Sequence, residues 1–136
     1  MPYLRKTFHL SQSVRSAHFI VTALGLYECE INGQRVGDEV FAPGWTEYHK
    51  RVYYQGYDVT GLLRPGENVL GAILGDGGYC GHVAWWGRQL YADRPRFLAQ
   101  LEIIFQDGST IIFASDSSWK TSTGPILESD MLMGES

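Results

Sequence analysis

Phe19-Ile-Val-Thr-Ala-Leu-Gly25-Leu-Tyr-Glu-Cys-Glu-Ile31-Asn32-Gly33 is the stretch from which the fold can be read. Its odd positions Phe19, Val21, Ala23, Tyr27, Cys29 and Ile31 are apolar, while Glu28 and Glu30 alternate with them. A period of two is that of a β-strand with one face on a core. Gly25 interrupts the run and marks a bulge or bend. Asn32-Gly33 then suits the positive backbone angles of a two-residue hairpin turn, and Arg35-Val36 starts the return strand.

The same pattern recurs on either side. Residues 51–59 read as a strand, followed by a single helical turn over 61–64 that Asp58 or Thr60 caps and Pro65-Gly66 ends. Residues 68–74 form a mainly apolar strand with both faces buried. Phe97, Ala99, Leu101, Ile103 and Phe105 share one side of a strand over 97–105, which Asp107-Gly108 turns into 110–114. A last strand covers 119–123 before Gly124-Pro125 breaks the pattern. Helical periodicity is absent, so the fold class is all-β, with seven or eight antiparallel strands in two packed sheets. The 136 residues, 44% hydrophobic and 19% charged, fit one globular domain rather than a disordered or coiled-coil chain. Sixteen glycines and 13% aromatic residues suit tight turns and exposed rings.

Eleven Lys plus Arg against fifteen Asp plus Glu give a net charge of −4, with no basic run beyond Arg5-Lys6 or Lys50-Arg51. Nucleic acid is therefore excluded as the main partner, since phosphate binding needs clustered cations. No apolar stretch approaches the roughly 20 residues that cross a bilayer, and residues 1–10 lack the apolar core of a signal peptide. No membrane partner is expected, and the compartment stays open with the cytoplasm favoured over export. Cys29 and Cys80 are too few for a disulfide scaffold and form no Cys-x-x-Cys pair. Cys29 reads as a core residue and Cys80 as the more exposed thiol.

Residues 75–94 are the irregular stretch, with glycines at 75, 77, 78, 81 and 87. Loops this long are usually functional or disordered, and the aromatic content here argues against disorder. Aromatic rings stack on the apolar faces of sugars while polar neighbours bond the hydroxyls. Asp76, Tyr79, His82, Trp85, Trp86 and Arg88 supply both ingredients and form the candidate carbohydrate-binding set, with Asp93 nearby. A second reading stays open, in which Trp85 and Trp86 plug the end of the sandwich or dock another domain. Asp76, Asp93 and Asp107 carry oxygens of the kind calcium prefers, without the spacing of a recognised loop. His9, His18, His49 and His82 are too scattered for zinc. Asp38, Glu39, Glu128 and Asp130 are carboxylates of the type glycoside hydrolysis uses, but beside turns they read as solvated charges, and no Gly-x-Ser-x-Gly nucleophile motif occurs. This chain by itself is expected to have no catalytic residues.

Several blocks, taken in order, carry a resemblance. They are Val21-Thr-Ala-Leu-Gly-Leu-Tyr27, Ile31-Asn-Gly-Gln-Arg-Val-Gly37, Ala42-Pro-Gly-Trp-Thr-Glu-Tyr48, Tyr57-Asp-Val-Thr-Gly-Leu-Leu-Arg-Pro-Gly-Glu-Asn68, Leu74-Gly-Asp-Gly77, Gln100-Leu-Glu102 with Asp107-Gly-Ser109, and Gly124-Pro-Ile126 with Gly134-Glu135. Over nearly its whole length the chain resembles the N-terminal domain of bacterial α-L-rhamnosidases. The resemblance implies a jelly-roll β-sandwich, galactose-binding-domain-like, accompanying a separate (α/α)6 barrel that hydrolyses terminal α-L-rhamnose with inversion. It implies a noncatalytic accessory role in recognising or presenting rhamnosides, or else a purely structural module packed on that barrel. It also implies rhamnose-containing carbohydrate and the barrel as partners, and calcium as the cofactor in part of the family. The expected organisation is one domain over 1–136, truncated at its C-terminal end.

The resemblance departs at Gly75-Asp-Gly-Gly-Tyr-Cys-Gly81, where relatives commonly have Gly-Asp-Gly-Trp-Tyr-Arg-Gly. Gly78 and Cys80 thus stand in place of a stacking ring and a hydroxyl donor. Leu127, Met131, Leu132 and Met133 in the tail predict self-association into a homo-oligomer through exposed tail or edges, because unanchored apolar termini fray or pair.

Overall fold

Alternation becomes two antiparallel sheets packed face to face. A computed structural model describes residues 1–44, 46, 48–81, 92–125, 129–130 and 134–135. In chain order the strands are β1 (Pro2–Leu10), β2 (Val14–Leu24), β3 (Leu26–Ile31), β4 (Gln34–Arg35), β5 (Gln55–Asp58), β6 (Gly66–Gly75), β7 (Arg96–Phe105), β8 (Thr110–Ala114), β9 (Lys120–Thr123), β10 (Ser129–Asp130) and β11 (Gly134–Glu135). One sheet has the order β4-β3-β6-β1-β9 and the other β5-β2-β7-β8, while β10 and β11 pair with each other. The fold is an all-β jelly-roll sandwich. Single helical turns occupy Thr60–Leu62 and Gly77–Cys80.

The inner faces supply the core. Phe19 and Val21 of β2 with Leu101 and Ile103 of β7 come from one sheet, and Leu10, Cys29, Ile31 and Leu70 from the other, all nearly or wholly without solvent contact. Burying a side chain of this kind contributes about 1.5–3 kcal/mol relative to exposure, which is what presses the sheets together. Phe8 of β1 and Phe113 of β8 meet across the layers with ring centroids 4.7 Å apart.

Gly25 is more than a bend. The strand before it, β2, lies in the four-stranded sheet, and the strand after it, β3, lies in the five-stranded sheet. Its φ is +117°, and a Cβ there would sit 2.5 Å from the Gly75 carbonyl oxygen. Glycine is required both for the backbone angle and for the close crossing. Because both sheets face the same core, apolar alternation continues through the corner unbroken.

Where the strands differ from the sequence reading, the reasons are local. Alternation does not single out the strand at 2–10, because Lys6 interrupts the inward series Leu4, Phe8, Leu10; its stem is half-buried and its Nζ donates to Ser118 Oγ at 2.6 Å. Strand β5 covers only the end of residues 51–59. The outer face of β6 is not covered among the described residues: Val69, Gly71 and Ile73 are half-buried and line an open trough. The helical turn starts at Thr60, whose N–H and hydroxyl both donate to Asp58 Oδ1, at 3.0 and 2.6 Å.

Among the described residues one polar side chain is wholly buried. Asn68 donates through Nδ2 to the carbonyls of Arg64 (2.7 Å) and Gly66 (3.1 Å), and its Oδ1 accepts from Arg64 N (3.0 Å) and Asn32 Nδ2 (2.9 Å). Asn32, at φ +51° in the hairpin turn, accepts from Val69 N at 2.9 Å. The Ile-Asn-Gly and Pro-Gly-Glu-Asn blocks therefore clamp each other, and every polar atom of the buried amide is satisfied.

Candidate functional site

Strand β6 delivers the candidate loop to the end of the sandwich where β2 passes into β3. Beyond Gly75 the chain makes one helical turn, with Cys80 N donating to the Asp76 carbonyl at 3.2 Å and Gly81 N to the Gly77 carbonyl at 3.0 Å. Gly77 has φ +55°, and a Cβ on it would lie 2.8 Å from Leu26 Cγ, so the turn is pressed onto the Gly25 corner. The Cys80 thiol lies 3.3 Å from Asp76 Oδ1.

Asp76 and Tyr79, of the candidate set, are brought together on this turn. Tyr79 is buried, with its ring edge-on to Tyr48 at 5.1 Å, in a small cluster with Cys80 that Leu24, Val52 and Ala92 border. It packs in that cluster rather than offering a ring face to solvent. Cys80 is 1% exposed, so the expectation of an exposed thiol is corrected: the helical turn points it into that cluster. His82, Trp85, Trp86 and Arg88 lie outside the described residues, as do Leu127, Met131, Leu132 and Met133 of the tail. The three aspartates weighed for calcium do not share one site. Asp93 and Asp107 lie beyond opposite ends of the ten-residue strand β7, which separates them by about 30 Å. Asp107 is occupied by Ser109 and Gln12. Among the described residues no three His, Cys, Asp or Glu side chains gather as metal ligands would.

The segment before β5 forms the other wall of this end. Tyr27 N donates to the Ala42 carbonyl at 2.9 Å, Gln55 Nε2 to the Pro43 carbonyl at 3.4 Å, and Thr22 Oγ1 to the Tyr53 carbonyl. Behind it runs a polar chain that the sequence reading missed. Tyr27 donates to Gln55 Oε1 at 2.7 Å, its hydroxyl stands 3.0 Å from that of Tyr57, and Tyr57 donates to Glu39 Oε2 at 3.0 Å. Burial, then the bond with Tyr57, pushes Tyr27 well above the usual phenol range, so it stays protonated. Backbone N–H bonding within Glu39, reinforced by Tyr57, holds the Glu39 carboxyl below the usual carboxylate range.

Beside that chain is a cleft of about 400 Å³ bordered by Leu26, Glu28, Arg35, Glu39, Val40 and Phe41. Phe41 is 58% exposed and sits at φ +59°, a conformation that costs a bulky residue energy. An apolar pair immediately before Ala-Pro-Gly-Trp was the available sequence signal. The arrangement places the carboxylates of Glu28 and Glu39 and the exposed Phe41 ring around one concavity.

In class, then, this is a β-sandwich module of two antiparallel sheets. The same architecture is found in the Pleurotus ostreatus lectin in its apo form, with a TM-score of 0.60 at 22% identity over 90% of this chain and 29% of the lectin, a likeness of fold alone. Residues 12–136 match the alpha-L-rhamnosidase N-terminal domain, and the chain belongs to that family. An alpha-L-rhamnosidase of Streptomyces avermitilis is 47% identical over 133 residues, covering 97% of this chain and 13% of its own length. The crystal structure of Streptomyces avermitilis alpha-L-rhamnosidase complexed with L-rhamnose superposes with a TM-score of 0.96 over 98% of this chain and 13% of that one. This chain thus spans about one seventh of the length of the curated relatives it matches. No helix among the described residues is long and apolar enough to cross a membrane.

Proposed function

We propose that this chain is a noncatalytic accessory domain of an inverting α-L-rhamnosidase and helps present rhamnosides to a catalytic region of the same protein. The observation that carries this reading is the near-complete superposition on a rhamnosidase complexed with L-rhamnose. Asp76 on the loop turn would bond sugar hydroxyls, together with His82, Trp85, Trp86 and Arg88. Calcium is the ion to include in the test, with ligands drawn from that loop rather than from Asp107 at the far end of β7.

Calorimetric titration with L-rhamnose, with and without calcium, is expected to give weak single-site binding that a Trp85→Ala, Trp86→Ala double variant loses. Absence of heat at millimolar sugar in both conditions would refute sugar presentation. It would favour the second reading, a module packed on the catalytic region. That reading has its own support in the outer face of the four-stranded sheet, where Leu98, 63% exposed, lies beside Tyr54 at 72% and Ile112 on the far edge strand is 59% exposed. Turnover of an aryl rhamnoside by the isolated chain is not expected.

A further inference from the structure

The outer face of the five-stranded sheet holds a trough of about 610 Å³, within the roughly 300–1,000 Å³ range of small-molecule sites. Two transverse rows of outward residues build it. The register aligns Glu30, Gly71, Arg5 and Lys120 across β3, β6, β1 and β9, and next to them Glu28, Ile73, Tyr3 and Ser122. Gly71 is the low point: a Cβ there would meet only the Leu4 carbonyl oxygen, at 3.9 Å. The depression therefore exists because the side chain is missing, not because the backbone needs glycine.

The walls carry opposite charge. Glu30 and Arg5 stand two strand spacings apart, about 10 Å, with Gly71 between them. Among the described residues Glu30, Arg5 and Lys120 form no ion pair, whereas Glu28 reaches Arg35 at 3.8 Å. Tyr3 is fixed at one end, because a Cβ at Gly124 would fall 1.8 Å from its Cε2 and glycine alone lets the ring lie there. An apolar floor of Ile73 and Tyr3 thus lies between a cationic wall and an acceptor wall.

We propose that this trough binds a saccharide bearing a carboxylate, a hexuronate unit. Its carboxylate pairs with Arg5 and Lys120, its ring lies over Gly71 against Tyr3 and Ile73, and its hydroxyls donate to Glu30. This site is distinct from the 75–94 loop and does not depend on rhamnose binding there.

The test is an amide NMR titration of the 136-residue chain with sodium D-glucuronate, D-glucose and L-rhamnose. Glucuronate is expected to move the amides of Arg5, Gly71, Ile73 and Lys120, at least about tenfold more tightly than glucose, and added salt is expected to weaken it. Gly71→Val fills the floor without a backbone clash and is expected to keep the thermal midpoint while losing binding at least about tenfold. Should Gly71→Val fail to fold, the Arg5→Gln, Lys120→Gln double variant serves, with loss of the preference for glucuronate over glucose expected. Equal binding of glucose and glucuronate, shifts confined to residues 75–94, no shifts at all, or unchanged binding in the variant tested would overturn the assignment.

Discussion

Asn68→Ala is expected to be among the most damaging single substitutions in this chain. The side chain is 0% exposed and makes four hydrogen bonds, to Arg64 N, Arg64 O, Gly66 O and Asn32 Nδ2. A net value of about 1 kcal/mol per bond gives about 4 kcal/mol. Discounting the partners that water can reach once the amide is gone, and noting that Asn32 Nδ2 keeps the Leu62 carbonyl at 2.9 Å, leaves about 3 kcal/mol. Against a total stability of about 5–15 kcal/mol that is a large share. For a domain of this size it corresponds to a fall of about 10 °C in thermal midpoint. Urea unfolding followed by tryptophan fluorescence, with scanning calorimetry, measures it. Glu67→Ala, an exposed neighbour on the same strand, should stay within about 0.5 kcal/mol of the parent. A loss below about 1 kcal/mol for Asn68→Ala would refute the idea that the buried amide clamps the β3–β4 hairpin to the start of β6.

Gly25→Ala should cost about 2 kcal/mol or more by equilibrium denaturation, because the new methyl group meets the Gly75 carbonyl at 2.5 Å on a φ of +117°; an alanine variant as stable as the parent would show that the corner can relax. Neither cysteine should react with a thiol reagent in the folded chain, since both are 1% exposed and burial pushes the Cys29 thiol up to about 12; rapid labelling of one thiol before unfolding would contradict this. The raised Cys29 value contributes stability that is complete below the unfolded thiol value of about 8.5 and is lost as pH climbs toward 12, so Cys29→Ala should flatten the alkaline limb of a stability profile. Asp107 shows the opposite sign. Bonding to the Ser109 hydroxyl first and Gln12 second holds it down to about 2, so its contribution is present above the unfolded value of about 3.9 and disappears as pH falls toward 2. Asp107→Asn should shrink that acid-limb loss, and an unchanged acid midpoint would count against it.

Family membership was legible in ordered blocks of residues, and the 75–94 loop stood out by its Gly-rich aromatic composition. Other features of the surface were not. The trough draws single residues from four strands, Arg5, Glu30, Gly71 and Lys120, spread over nearly the whole chain. Each of them alone reads as an ordinary outward strand residue. Phe41 and the Tyr27–Tyr57–Glu39 chain were likewise hidden, since they meet through loop packing across up to 30 positions.

Local periodicity alone determined the all-β class, both hairpins at Asn32-Gly33 and Asp107-Gly108, and the inward face of β2 and β3. Those features follow from side-chain alternation and turn chemistry, which act between near neighbours. Only the tertiary structure decided that Gly25 moves the chain between sheets, that β6 lies between β3 and β1, and that Cys80 is buried against Tyr48 and Tyr79. The physical reason is that an edge of backbone N–H and C=O groups will pair with any strand, so alternation specifies which face is buried but not which strand lies alongside. That choice is made by the shared core and by clamps such as Asn32–Asn68, which form only when distant segments meet.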